Sequence, residues 1–274
     1  MAHQSTRQDY AEGTAGFYRR TLHILSDAQV PFLVGGSHAF LRYTGIERDT
    51  KDLDLFLRRE DLDRALCELA ENGYRTEVVF RHWLGKAFYK DDFIDLVFSS
   101  GNGVATVDDG WFAHAVEDQV LGVPVKLIPA EEFVWQKAFV MERERYDGAD
   151  ILHLFHQQAD RLDWDRLLAR FAPHREMLLA HVVLFCFVYP SERARIPDRV
   201  FDTLLQSLRA DAAPSGDGAG RENGARVCRG TLLSRSQFMV DIGRWGYQDA
   251  RIAPLGGLTP EEALYWTWAI DHVE

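Results

Sequence analysis

Apolar and polar positions along this chain switch between two periods before settling into one. Across residues 10–28, Phe17, Thr21, Ile24 and Leu25 recur at helical spacing and predict a helix running up to Pro31. Residues 31–34 form a short apolar run, ended by Gly35-Gly36, that predicts a strand. Ser37 then stands where a helix N-cap is expected, with residues 38–43 as the first turns and Gly45 as the stop. Residues 52–57 alternate as a strand, and residues 59–72 return to helical spacing up to Gly73. Strands are expected at 75–80, 86–90, 93–98 and 123–128, with a turn at Gly101-Asn102-Gly103. Pro129 opens a long helix expected over 131–145.

Beyond Asp150 the period is helical almost throughout, with helices expected at 151–158, 164–171, 176–189 and 199–208. Residues 210–225 are small and polar and have the composition of a flexible linker. The tail predicts helices at 231–240 and 260–273. No internal repeat is visible. The expected architecture is α+β: a mixed sheet with helices, then a mostly helical C-terminal region. The expected boundaries are a first domain over 1–155, a helical region over 156–209, a linker over 210–226 and a helical tail over 227–274.

Composition narrows the class. With 274 residues and 46% hydrophobic content, the chain is long and apolar enough to build one large or two modest cores. The richest apolar stretch, residues 177–189, falls short of the roughly 20 residues that span a bilayer and contains His181, so it is expected as a buried helix. The N-terminus lacks the charged-then-apolar order of a signal peptide, so the cytoplasm is the expected compartment and no membrane is expected as a partner. Cys67, Cys186 and Cys228 are too scattered for a zinc site or a disulfide framework and are expected as reduced thiols. A formal charge of −11 argues against a protein that coats duplex DNA, but leaves local contacts to a nucleotide or an RNA end open. Arginines 229, 235, 244 and 251 in the tail are expected on a solvated face, with an anionic acceptor as the alternative.

The chemistry lies in three carboxylates. In a strand, Asp52 and Asp54 point to one face and Leu53 and Leu55 to the other. Asp95 sits within Phe93-Ile94-Asp95-Leu96-Val97, where an unpaired charge is costly. Like charges brought together on a buried sheet need raised pKa values or a divalent cation. Upstream, Gly35-Gly36 allows a tight turn that exposes amide N–H groups, and the helix start adds positive potential. With the Ser37 hydroxyl, this turn suits the phosphates of a nucleotide. The alternatives are a plain strand-to-helix turn and a strand aspartate paired with arginine. A glycosyltransferase DxD and a dehalogenase-type phosphatase also carry paired aspartates, but neither calls for the Gly-Gly-Ser turn.

Taken together, Gly35-Gly36-Ser37-His38-Ala39, Arg48-Asp49-Thr50-Lys51-Asp52-Leu53-Asp54-Leu55 and the distal Asp95 resemble the DNA polymerase β-type nucleotidyltransferase superfamily. The match is to the bacterial branch with AbiEii-type toxins and antibiotic nucleotidyltransferases. Gly36 precedes Asp52 by 16 positions, and Ser37-His38 ahead of Ala39 is a departure that leaves the role of His38 open. The resemblance covers about residues 30–155. It implies that Asp52, Asp54 and Asp95 are catalytic and bind two Mg²⁺ ions, and that Gly35, Gly36, Ser37 and Lys137 bind the nucleotide. It implies a structural or substrate-orienting network of Arg145, Asp147 and Asp150, with a helix C-terminal ion pair as the alternative for Arg145 and Asp147. The implied activity is transfer of NMP from an NTP, ATP among the candidates, to an acceptor hydroxyl on a small molecule, a tRNA end or a protein. The alternatives are a degenerate nucleotide sensor and a DxD glycosyltransferase. The helical region is expected to build an acceptor pocket or a homo-oligomer surface.

Overall fold

The computed structural model describes residues 2–48, 52–211, 221–222 and 225–269. Outside them lie Asp49, Thr50 and Lys51 of the motif, residues 212–220 and 223–224 of the expected linker, and residues 270–273 of the expected last helix. The chain divides into two compact units, residues 1–101 with 106–129, and residues 102–105 with 130–274.

The first unit is built on a seven-stranded mixed sheet. In chain order its elements are α1 (Ala2–Asp27), β1 (Leu33–Val34), α2 (Gly36–Thr44), β2 (Asp54–Phe56), α3 (Arg59–Glu71), β3 (Arg75–Phe80) and β4 (Leu84–Tyr89). There follow β5 (Asp92–Val97), α4 (Asp109–Ala113), β6 (Val116–Val120) and β7 (Val123–Leu127). The strand order is β3-β4-β5-β2-β1-β7-β6. β2 runs parallel to β5, and β1 parallel to β7, while the remaining neighbours are antiparallel. Parallel neighbours require crossovers, and α3 is one of them.

One face of this sheet carries the core. Leu53, Leu55, Ile94 and Leu96 are fully buried together with Leu22 and Leu25 of α1 and Leu62 and Leu69 of α3. Each of these side chains contributes roughly 1.5–3 kcal/mol by leaving water. Because strand side chains alternate, burying Leu53 and Leu55 and the Ile94–Leu96 pair turns Asp54 and Asp95 to the opposite face. On that face Phe56 stacks on the fully buried Trp111 of α4, with ring centroids 5.5 Å apart.

The second unit comprises α5 (Ala130–Lys137), α6 (Gly148–Gln158), α7 (Trp164–Arg170), α8 (Arg175–Val188) and α9 (Asp198–Asp211). A small sheet of β8 (Arg221–Glu222), β9 (Ala225–Cys228) and β10 (Gln248–Asp249) follows, with α10 (Met239–Gly243) and α11 (Pro260–Trp268). His181 of α8 is buried, as the apolar stretch around it predicts, and its Nε2 lies 2.9 Å from the Ala138 carbonyl. No single helix among the described residues is long and apolar enough to cross a membrane.

Several expected elements are corrected. The helix expected over 131–145 stops at Lys137. Met141 instead donates its N–H to the Leu233 carbonyl, and the Glu142 carboxylate accepts from Ser234 and Arg235, which pulls the chain out of helical register. The helix expected over 231–240 is a 3-10 turn at Arg229–Leu232 and the short α10. Strand β6 and helix α4 were not visible in the period. Arg251 is not on a solvated face: it is 1% exposed and forks onto Asp249.

Candidate active site

The Gly-Gly turn is seated directly on β2. The Gly35 N–H donates to the Asp54 carbonyl at 3.0 Å, and the Gly35 carbonyl accepts from Ala39 to start α2. Neither glycine has room for a side chain. A Cβ on Gly35 would lie 2.2 Å from the Phe56 ring, and one on Gly36 would lie 1.9 Å from Oδ2 of Asp54. Gly36 also has φ +54, a left-handed backbone that glycine takes without strain. The N-cap is therefore Gly35 rather than Ser37, which falls inside the first turn. The helix does close at Gly45, with φ 72.

The three carboxylates meet. Asp54 is the register partner of Asp95 on parallel β2 and β5, and the Asp95 N–H donates to the Leu53 carbonyl at 3.0 Å, extending the pairing towards Asp52. Asp52, Asp54 and Asp95 each offer an oxygen, and these oxygens all lie within 4.8 Å of one another. Repulsion between like charges at that separation is on the order of 3–4 kcal/mol per pair at an effective dielectric near 20. Burial pushes the Asp95 carboxyl up; the Lys86 ammonium opposes this, and the charge of Asp52 adds to it. The donor set is all oxygen, half-buried, and cradled by a turn that a single methyl group would fill. It fits a hard divalent cation.

Two residues near this centre carried no sequence signal. Lys86 on β4 lies directly across from Asp95 on β5, with its ammonium 2.8 Å from Oδ1 of Asp95. Tyr18 of α1 is buried, and among the described residues its hydroxyl makes no hydrogen bond. Burial first, then the charges of Asp52, Asp92, Asp54 and Asp95, push that hydroxyl up, so Tyr18 shares the field of the acidic centre. His38, whose role was open, lies in the first turn of α2; its Nε2 is buried without a hydrogen bond and burial lowers its pKa.

Lys137 belongs to the second unit. Its ammonium lies 2.8 Å from Asp147 and 2.9 Å from Asp150, and Arg145 forks onto Asp147. Lys137 thus joins Asp147 and Asp150, and Arg145 shares Asp147 with it.

Neither a family model nor a curated protein matches the chain. Solved structures do resemble it. One is the antibiotic-resistance factor ANT(2'')-Ia, at 16% identity, TM-score 0.39, covering 74% of this chain and 94% of the other. Another is the lincosamide antibiotic adenylyltransferase LnuA, lincomycin-bound, at 17% identity, TM-score 0.37, covering 51% and 94%. A third is JHP933 from Helicobacter pylori, at 13% identity, TM-score 0.36, covering 76% and 98%.

Proposed function

We propose that this chain is a magnesium-dependent nucleotidyltransferase, working in the cytoplasm, that moves NMP from an NTP to an acceptor hydroxyl and releases pyrophosphate. One observation carries the proposal: a Gly-Gly turn with no room for a Cβ rests against Asp54, where three carboxylates converge within 4.8 Å. Asp52, Asp54 and Asp95 would hold two Mg²⁺ ions. When bound, such ions offset the charge of the triphosphate and ease ionisation of the acceptor hydroxyl.

The chain's own residues do the rest. Gly36 and Ser37 offer backbone N–H groups and a hydroxyl at the start of α2, where the helix end favours phosphate, while Gly35, its N–H held by the Asp54 carbonyl, shapes the turn that lets the nucleotide approach. Asp95 accepts the proton of the acceptor hydroxyl, as a carboxylate held in the centre by its register with Asp54. The acceptor oxygen forms a bond to the α-phosphorus. The bond from that phosphorus to its bridging oxygen breaks, and pyrophosphate leaves with the electron pair. The contact to the nucleotide phosphates that the resemblance implies for Lys137 joins this proposal.

The test is metal-dependent pyrophosphate release from each of the four NTPs, with cell extract as acceptor source, for the wild type and Asp52→Ala. Loss of electrostatic stabilisation should cost the variant about 100-fold or more. The labelled product then tells whether the acceptor is a small molecule, a tRNA end or a protein. NTP binding with no release from any extract would instead indicate a sensor. Release from a sugar nucleotide without pyrophosphate would indicate a glycosyltransferase.

A further inference from the structure

The β4–β5 hairpin places a cation against the acidic centre. Its register is fixed by a two-residue turn at Lys90-Asp91, where Lys90 has φ 57, and this sets Lys86 opposite Asp95 and Ala87 opposite Ile94. Ala87 is buried on the core face, so Lys86 is turned to the face of the three carboxylates. Its ammonium lies 2.8 Å from Oδ1 of Asp95 and 4.2 Å from the Phe93 ring centroid, so the aromatic face steadies it beside the carboxylate. The contact has the distance of an ion pair. Lys86 thus sets a positive charge against a carboxylate that belongs to the group of three.

We propose that Lys86 is a positioning residue that occupies the cation place at Asp95 in the metal-free protein and is displaced when a divalent ion binds there. This rests on the metal-binding reading of the three aspartates. An ammonium and a divalent cation compete for the same carboxylate. Entry of the ion therefore works against the Lys86–Asp95 contact, and the Asp95 side of the centre should fill less readily than a lysine-free centre would. A cross-strand ion pair that served only the sheet would have no such effect on metal affinity.

The experiment is Mn²⁺ binding to the full chain, followed by the electron paramagnetic resonance signal of free Mn²⁺ and by calorimetry. Wild type is compared with Lys86→Met, Lys86→Gln, Lys86→Arg and Asp54→Asn, each first checked for an intact fold by circular dichroism. Removing one neighbouring positive charge should tighten Mn²⁺ binding in K86M and K86Q by roughly tenfold or more. K86R should bind as the wild type does. The Mg²⁺ concentration for half-maximal turnover should fall in the same two variants. Binding in K86M and K86Q equal to wild type, yet lost in D54N, overturns the proposal while leaving the metal site standing. Weaker binding in K86M also overturns it, because Lys86 would then support Asp95 as a ligand. If no protein shows Mn²⁺ binding that Asp54→Asn removes, the metal-binding reading fails and this proposal with it.

Discussion

Gly36 is the residue at which backbone and chemistry meet. Its φ of +54 and the 1.9 Å that would separate a Cβ from Oδ2 of Asp54 impose two separate penalties on any side chain. Backbone strain alone costs about 1–2 kcal/mol. The steric clash moves Asp54, and with it the spacing of the three carboxylates. Gly36→Ala should therefore lose turnover by about 100-fold, as expected when a preorganised charge is displaced. Its melting temperature should fall by only roughly 2–8 °C. A variant with wild-type kcat/KM would show that the turn does not set the place of Asp54. The carboxylates themselves were legible in the sequence for physical reasons. Asp52 and Asp54 alternate with leucines that had to be buried, and Asp95 interrupts an apolar run that could not hold a lone charge. Lys86 and Tyr18 were not legible. Lys86 meets Asp95 only through a hairpin register set by a turn at Lys90, and a strand begun at residue 86 hides where that turn falls. Tyr18 has the period of an ordinary core residue, and only the fold brings it into the field of the aspartates.

Among the elements, the period was reliable where one face is buried and silent where it is not. Strands β5 and β7 and helices α3, α6, α7, α8 and α9 lie close to their expected places, because buried apolar positions recur along them. Strand β6 carries exposed Glu117 and Gln119 at the edge of the sheet, so its sequence alternates too weakly to announce a strand. The early end of α5 is a tertiary effect: Glu142 and Met141 take partners from residues 233–235 that local propensity cannot foresee. Helix α11 depends on a local device instead. Thr259 and Glu262 form a capping box ahead of nine helical residues, fewer than the roughly 12–15 that sustain a helix alone. Thr259→Ala should therefore cost about 1 kcal/mol. A stability change of that size corresponds to about fivefold faster amide exchange across α11. Unchanged exchange at these amides would show that packing, not the cap, holds the helix.

At the scale of the molecule, the net charge of −11 conceals an uneven distribution. In the second unit the buried carboxylates each face a cation: Glu132 meets Arg166 and Arg170, Asp147 meets Lys137 and Arg145, Asp150 meets Lys137, and Asp249 meets Arg251. That arrangement makes the unit sensitive to acid, with a sign that differs among the groups. Burial pushes the Asp249 carboxyl up, but the Arg251 fork outweighs it and holds the carboxyl below its usual range; Arg145 and Lys137 do the same for Asp147. A depressed folded pKa gives stability that is fully present above the unfolded value of about 3.9 and is lost as pH falls through the folded value. Glu132 runs the other way: burial raises it despite its two arginines, so its folded form gains relative stability as acid protonates it. The contribution of Asp249 is therefore read by difference. Thermal melts of wild type and Asp249→Asn between pH 7 and pH 3 should show the variant less stable at pH 7 by about 3 kcal/mol or more, since Arg251, 1% exposed, is left without its counter-charge. The gap should narrow as the pH drops below about 4, where the wild type loses the same ion pair. A gap constant across that range would mean that Asp249 holds the tail by shape and hydrogen bonding rather than by its charge.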